Sequence, residues 1–274
     1  MSLVACDALD LKDGQMAYVG QSIPHDSARG HVTGESIFID DIPPARNELF
    51  IEIVGAPIAH GKLKSVNVED ARNAPGVALV LTAADIPGHR EFGPVVQDEH
   101  LLVTDEIFHL GDPVVIIAAE TREAARRAKK LVQIDVEPLK PIFTIDHAIA
   151  AGSFIGGQRT IETGDVAAAF SSAPYTLEGT LDIGGQEHFY LEPQAARAIP
   201  GEGGQIVVHS STQHPSEVQA IVAEILNIPF NHVTIVTKRM GGGFGGKETQ
   251  AAAPAAMTAL VASITGRPTR IVLD

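Results

Sequence analysis

Apolar positions along this chain follow two periods, and the period changes where turn-forming residues interrupt it. Leu49–Val54, Lys64–Val68 and Val77–Leu81 are short β-branched runs bounded by Gly or Pro, which predicts strands. Pro113–Ala119, read as PVVIIAA, predicts a strand buried on both faces. After it the spacing changes to that of a helix. Thr121 offers an N-cap, Glu123 suits the first turn, and Ala124, Ala125, Ala128, Leu131 and Val132 make an apolar face. Arg126, Arg127, Lys129 and Lys130 fall on the other side and read as a solvated face. Gln133–Glu137 returns to a strand.

These elements form a first unit over residues 21–140, preceded by a lead-in of residues 1–20 that shows no periodicity. Residues 141–163 read as a linker with one short helix near Ile145–Ala150. A second unit covers residues 164–274. It begins with alternation over Tyr175–Ile183, predicting a strand, and Gln205–His209 predicts another. Pro215 opens a helix with Val218, Ile221, Val222, Ile225 and Leu226 on one face. His232–Lys238 predicts a strand, Gly241–Gly246 a glycine loop, and Glu248–Thr265 an Ala-rich helix kinked at Pro254. Thr269–Leu273 predicts a last strand. Strands and helices mix throughout, so the fold class is α+β. Because a sheet and its core continue past a terminal strand, residues 164–274 are expected to be the first part of a larger domain.

Composition narrows the function. Hydrophobic residues make up 45% of the 274, enough for a sizeable core. No apolar run is long enough to span a bilayer, and the opening residues lack the basic flank and apolar stretch of a signal peptide. A cytoplasmic location with no membrane partner is expected. Thirty-four acidic against twenty basic residues give a net charge of −14, which repels phosphate backbones and argues against nucleic acid. The single cysteine, Cys6, supports neither a disulfide nor an iron–sulfur cluster, so any such cluster belongs to another polypeptide.

The densest chemical signal is Arg239–Thr249, RMGGGFGGKET. Five glycines in six positions between a strand and a helix bring backbone N–H groups close to a ligand. Three ligand readings arise. Gly241 to Lys247 fits G-x-x-x-x-G-K, but Glu248 stands where a phosphate loop needs Ser or Thr, and Lys247 could pair with it instead. Gly241, Gly243 and Gly246 fit G-x-G-x-x-G, with Asp274 as the acid, at a spacing longer than the roughly 20 residues of a dinucleotide site. The third reading is a loop wrapped round a bulky cofactor with Phe244 facing the site. Gly184–Pro193, GGQEHFYLEP, gathers polar residues that are expensive to bury alone, and Glu187–His188 is a candidate acid–base pair. His209–His214 runs from a strand end into a helix. Ser211 and His214 lack a nucleophile elbow, and His25, His31, His60, His209 and His214 lack metal-ligand spacing.

Gly34–Pro43 (GESIFIDDIP), Gly184–Glu192, Ser211-Thr-Gln213 and Arg239–Thr249, in this order, resemble the molybdenum hydroxylase family in its xanthine dehydrogenase branch. The resemblance runs from about Gly20 to the end. It implies an α/β hammerhead domain followed by the first part of a mixed α/β molybdopterin-binding domain. It implies a molybdenum–molybdopterin cofactor whose metal is held by the cofactor's dithiolene and not by protein side chains. By position, Gln213 resembles the glutamine that hydrogen-bonds an oxygen ligand of the metal. Gly243, Phe244 and Gly245 resemble the cofactor loop, and Glu248 resembles the glutamate that binds the purine. Aldehyde oxidases of the family usually carry an apolar residue at that last position.

The chemistry implied is hydroxylation of hypoxanthine or xanthine with water-derived oxygen. Electrons would leave through iron–sulfur clusters and FAD on a partner subunit to NAD. The family's general base, a late Gly-Glu-Pro-type glutamate, has no counterpart here. The remainder of the molybdopterin subunit is therefore an expected partner, and this chain alone is expected to be inactive. An aldehyde oxidase and a non-catalytic assembly domain are the alternative functions.

Overall fold

The computed structural model describes residues 21–273. The expected lead-in over residues 1–20, Cys6 and the terminal Asp274 lie outside them. The strands are β1 (Leu49–Gly55), β2 (Gly61–Asn67), β3 (Val77–Leu81), β4 (Glu91–Phe92), β5 (Glu99–His100), β6 (Glu106–Ile107), β7 (Pro113–Ala119), β8 (Gln133–Pro138), β9 (Ala195–Pro200), β10 (Ile206–Ser210), β11 (Val233–Val236) and β12 (Thr269–Val272). The helices are α1 (Ala28–Thr33), α2 (Glu69–Arg72), α3 (Arg122–Lys129), α4 (Ile145–Ala151), α5 (Val166–Ser172), α6 (Pro215–Leu226) and α7 (Ala252–Thr265).

One seven-stranded sheet, in the order β11-β10-β9-β12-β1-β7-β3, takes strands from both sides of residues 141–163. The joint is a parallel pairing of β1 with β12, Leu49 opposite Thr269. A three-stranded sheet, β6-β2-β8, and the β4–β5 pair lie beside it. β7 is apolar at every position because it separates two cores. Ile116 and Ala118 face the core that contains α6 and α7. Ile117 and Ala119 face the one that contains α2 and α3.

Helix ends follow side-chain chemistry. The Thr121 hydroxyl accepts from Ala124 N–H at 3.1 Å and starts α3, whose Ala124, Ala125 and Ala128 are buried. α3 stops at Lys129, so Leu131 and Val132 lie beyond the helical face expected to include them. α6 begins with Pro215 and ends at Asn227 in the left-handed conformation, burying all five positions of its expected face. α7 is buried nearly all round, and it packs on β9 and α6.

Three expectations are corrected. Residues 175–183 form no strand, and Tyr175, Leu177, Leu181 and Ile183 are exposed. Alternation marks a strand only where a neighbour supplies the ladder, and none pairs with it among the described residues. The last helix starts at Ala252, not Glu248, because residues 243–249 close successive turns, Gly246 N–H to Gly243 C=O and Glu248 N–H to Gly245 C=O. Pro254 therefore falls in the first turn, where its missing N–H has no helical partner to lose, and it makes no kink.

Candidate active site

β10 and β11 are adjacent and parallel, so the segments leaving their C-terminal ends emerge side by side. Ligands gather at such strand ends in α/β sheets. One segment, Ser211–Gln213, turns into α6. The other is the glycine loop leading to α7.

The glycines are there because side chains already occupy the space a Cβ would need. A Cβ on Gly241 would meet Glu192 Cβ at 2.5 Å, one on Gly243 would meet Gln213 Oε1 at 2.6 Å, and one on Gly246 would meet His188 Cγ and Tyr190 Cε1 at 2.9 Å. The loop is thus packed against the GGQEHFYLE segment on one flank and Gln213 on the other. Phe244 takes a left-handed backbone, φ 52°, and the residue is 75% exposed.

Gln213 is tied to this loop three times. Its Oε1 accepts from Gly245 N–H at 2.9 Å and Lys247 N–H at 3.2 Å, and its own N–H donates to Lys247 C=O at 2.8 Å. Two backbone donors on one side-chain oxygen fix which way the amide faces. Its NH2 is left as a donor with no partner among the described residues. Gly242, Gly243 and Phe244 likewise keep N–H groups that donate to no described residue. Gln213, Gly243, Phe244 and Gly245, singled out separately in the sequence, therefore come together.

Glu248 follows directly and is exposed, and its carboxylate has no hydrogen bond or ion pair among the described residues. It lies in a turn before α7, so the helix-start position expected for it is corrected. The expected alternative pairing of Lys247 with Glu248 is corrected too. Lys247 is fully buried. Its Nζ donates to Glu192 C=O and to Ser211 Oγ, each at 2.7 Å, and lies 3.5 Å from Glu192 Oε2. It also sits 4.5 Å from the centre of the Tyr190 ring. Burial pushes the Lys247 ammonium pKa down, and Glu192 offsets only part of that. Glu192 Oε2 accepts from Ser211 Oγ at 2.7 Å and Gly241 N–H at 2.8 Å. Gln194 Nε2 donates to Gly246 C=O at 2.7 Å.

Sequence reasoning missed Lys247, Glu192 and Gln194 as the loop's support. The available signal was a lysine directly after five glycines, with a buried-type glutamate in the polar segment upstream.

Other candidates disperse. The Ser211 hydroxyl is buried between Lys247 and Glu192, and His214 pairs with Glu217 at 2.9 Å, so the two form no nucleophilic dyad. His188 Nδ1 lies 3.5 Å from Glu187 Oε1 on exposed chain. His209 is partly buried, which lowers its pKa, with Arg197 and Lys238 adding to that. His60 bonds Glu106 at 3.0 Å. Among the described residues no three His, Cys, Asp or Glu side chains group to hold a metal ion, and no helix is long and apolar enough to cross a membrane.

Two family models match the chain in succession. Residues 33–140 match the aldehyde oxidase and xanthine dehydrogenase a/b hammerhead domain, and residues 149–274 match the molybdopterin cofactor-binding domain. The chain belongs to the molybdenum hydroxylase family. It is 41% identical over 257 residues to the xanthine dehydrogenase/oxidase of Rattus norvegicus, 93% of this chain and 19% of that protein. It is 42% identical over 258 residues to aldehyde oxidase 2 of the same species, with the same shares covered. The aldehyde oxidoreductase of Desulfovibrio gigas superposes with a TM-score of 0.80 at 26% identity, over 92% of this chain and 30% of that one. The chain therefore spans about a fifth of the length of these curated relatives.

For a molybdenum hydroxylase, the glycine loop is the part to weigh against the three ligand readings. A phosphate loop needs its lysine at the ligand, and here Lys247 is turned into the protein. The acid of the dinucleotide reading, Asp274, lies outside the described residues, and the loop runs through turns before α7 begins. A loop offering three N–H groups, an exposed aromatic ring and an outward amide NH2 suits an oxygen-rich anionic cofactor. These residues fit the molybdenum–molybdopterin group.

Proposed function

We propose that this chain is the opening portion of the molybdopterin subunit of a xanthine dehydrogenase-type enzyme, hydroxylating hypoxanthine or xanthine. The observation that carries this reading is Glu248, a carboxylate without a partner among the described residues, directly after a loop whose donors are left open. Overall similarity does not choose the substrate, since a xanthine dehydrogenase/oxidase and an aldehyde oxidase match almost equally well. A carboxylate accepts the N–H groups of a purine, and an aldehyde offers nothing to satisfy it.

When bound, the cofactor supplies the two-electron oxidation of the substrate carbon. Gln213 would hold an oxygen ligand of the metal with its NH2, and Gly243, Phe244 and Gly245 would border the cofactor with their backbone. Glu248 would orient the purine. The general base would belong to the remainder of the subunit, and electrons would leave through iron–sulfur clusters and FAD on a partner to NAD. A cytoplasmic location completes the proposal. Aldehyde oxidation is the second reading, supported by the likeness to aldehyde oxidase 2 and to the Desulfovibrio gigas enzyme.

Glu248→Val in the full-length, cofactor-loaded enzyme separates the two. Loss of one charged hydrogen bond, roughly 1.5–3 kcal/mol, lowers kcat/KM for xanthine about tenfold or more. Small aldehydes are turned over as well as before or better. Equal losses on both substrates reject Glu248 as the residue that reads the purine.

A further inference from the structure

We propose that Lys247 is a positioning residue for the outward amide of Gln213, acting through Ser211 and Glu192 and never touching cofactor or substrate. The inference rests on the reading of Gln213 given above.

Burying an ammonium is unfavourable unless every donor is met, and an apolar side chain of similar volume usually serves packing as well or better. Here the donors are met with little to spare. Two go to Glu192 C=O and Ser211 Oγ, and the third side of the ammonium faces the Glu192 carboxylate and the Tyr190 ring. A methionine could fill that volume. It could not orient Ser211. By donating to Ser211 Oγ, Lys247 leaves that hydroxyl its single proton for Glu192 Oε2. Glu192 Oε2 in turn holds Gly241 N–H at the loop's first glycine.

The result is a closed frame. Ser211 lies two residues before Gln213, Gly241 opens the loop, and Lys247 closes it. The backbone of Lys247 meets Gln213 at both its N–H and its C=O, and the same C=O accepts from Thr212 Oγ1 at 3.2 Å. The lysine side chain pins the stem of the Gln213 turn from below while the lysine backbone holds its head. Loss of the side-chain leg leaves the backbone bonds in place and frees the stem to shift.

The test uses the full-length holoenzyme with four variants: Lys247→Met, Ser211→Ala, Gln213→Ala, and Lys247→Met combined with Gln213→Ala. Molybdenum per protein, the Mo(V) EPR signal of partly reduced enzyme, and kcat and KM per bound molybdenum are measured. Lys247→Met is expected to lower kcat per molybdenum between about tenfold and a hundredfold, the scale of a misplacement near 1 Å. KM should hold, and the Mo(V) signal should move in the direction seen for Gln213→Ala. The double variant should match Gln213→Ala alone, because the lysine acts through the glutamine.

The proposal is overturned if Lys247→Met lowers only the molybdenum content while the loaded fraction keeps the parent signal and kcat. It is overturned equally if the two substitutions act additively. If Lys247→Met retains no molybdenum, Ser211→Ala decides. A loss of about tenfold or more, the scale of one hydrogen bond to a charged group, with a shifted signal supports the frame, and parent behaviour overturns it. A parent-like Gln213→Ala rejects the site reading itself. An altered Gln213→Ala beside a parent-like Lys247→Met rejects the lysine's role alone.

Discussion

Two buried carboxylates, Glu48 and Glu192, do opposite jobs with the same chemistry. Glu48 is held by Arg197 at 2.9 and 3.1 Å, by Arg270 at 3.0 Å and by Ala45 N–H at 2.7 Å. Four donors therefore converge on the one carboxylate. Three further donors of Arg270 go to the carbonyls of Ile39, Asp40 and Ile42. The cluster fastens residues 39–48 across β9 and β12. Glu192 has a lysine, a serine and two backbone donors, Gly241 and Ile39 N–H. Its network closes inward and leaves Gln213 and the glycine loop with open donors outward. The difference lies in the partners. Two arginine forks converge on one carboxylate, whereas one small ammonium ties down a loop of glycines and leaves its other face bare.

The largest expected effect breaks the first cluster. Glu48→Gln leaves two buried guanidinium groups without their counter-charge and should destabilise the full-length protein by about 3–5 kcal/mol. Chemical denaturation reads the loss, while kcat per bound molybdenum in the folded fraction stays at the parent value. A comparable fall in kcat would mean that the two clusters are not separable.

A smaller effect breaks the second region. Gly246→Ala places a Cβ 2.9 Å from His188 Cγ and Tyr190 Cε1. The overpacking should cost about 1–3 kcal/mol, and it should lower the molybdenum content. Parent-level molybdenum would show that the loop's seat on residues 188–190 is not needed for the cofactor.

The smallest effect separates the clusters by pH. Glu48 is pushed up by its burial, but Arg197, Ala45 N–H and Arg270 outweigh that and hold it below its usual 4.5. Its contribution is present above 4.5 and is lost as pH falls through the lowered value. Lys247 is shifted below its usual 10.5, so from the lowered value up to 10.5 the unfolded chain holds more protons than the folded one. Its contribution to stability therefore rises with pH across that window. Denaturation of the parent and of Lys247→Met along an alkaline series should diverge, the parent gaining. Parallel curves would place the titration elsewhere.

Much of the fold could be read from local pattern. β7, α3 and α6 each carry a period, a cap or a turn residue that acts within a few positions, and β7 and α6 formed where expected while α3 began at its cap and ended before Leu131. The failures are non-local. Residues 175–183 have the alternation of a strand and no pairing neighbour. Glu248–Ala251 are compatible with a helix, but turns closed by the glycines hold them first. The site was legible as two motifs, Gln213 and the glycine loop. Their meeting depends on β10 lying beside β11, which neither motif encodes. Lys247 was misjudged because a charged side chain after a glycine run looks exposed until Glu192, 55 positions earlier, is placed beneath it.

β12 lies between β9 and β1, pairing with both. During synthesis, β1 leaves the ribosome more than two hundred residues before its parallel neighbour exists. Until Thr269–Val272 emerge, one edge of β1 and one edge of β9 are unpaired, although Leu49, Ala196 and Ala198 are buried in the finished fold. Such long-range closure is slow to find. A chain that ends short of residue 269 leaves both edges open at once, the arrangement from which edge-to-edge aggregation starts.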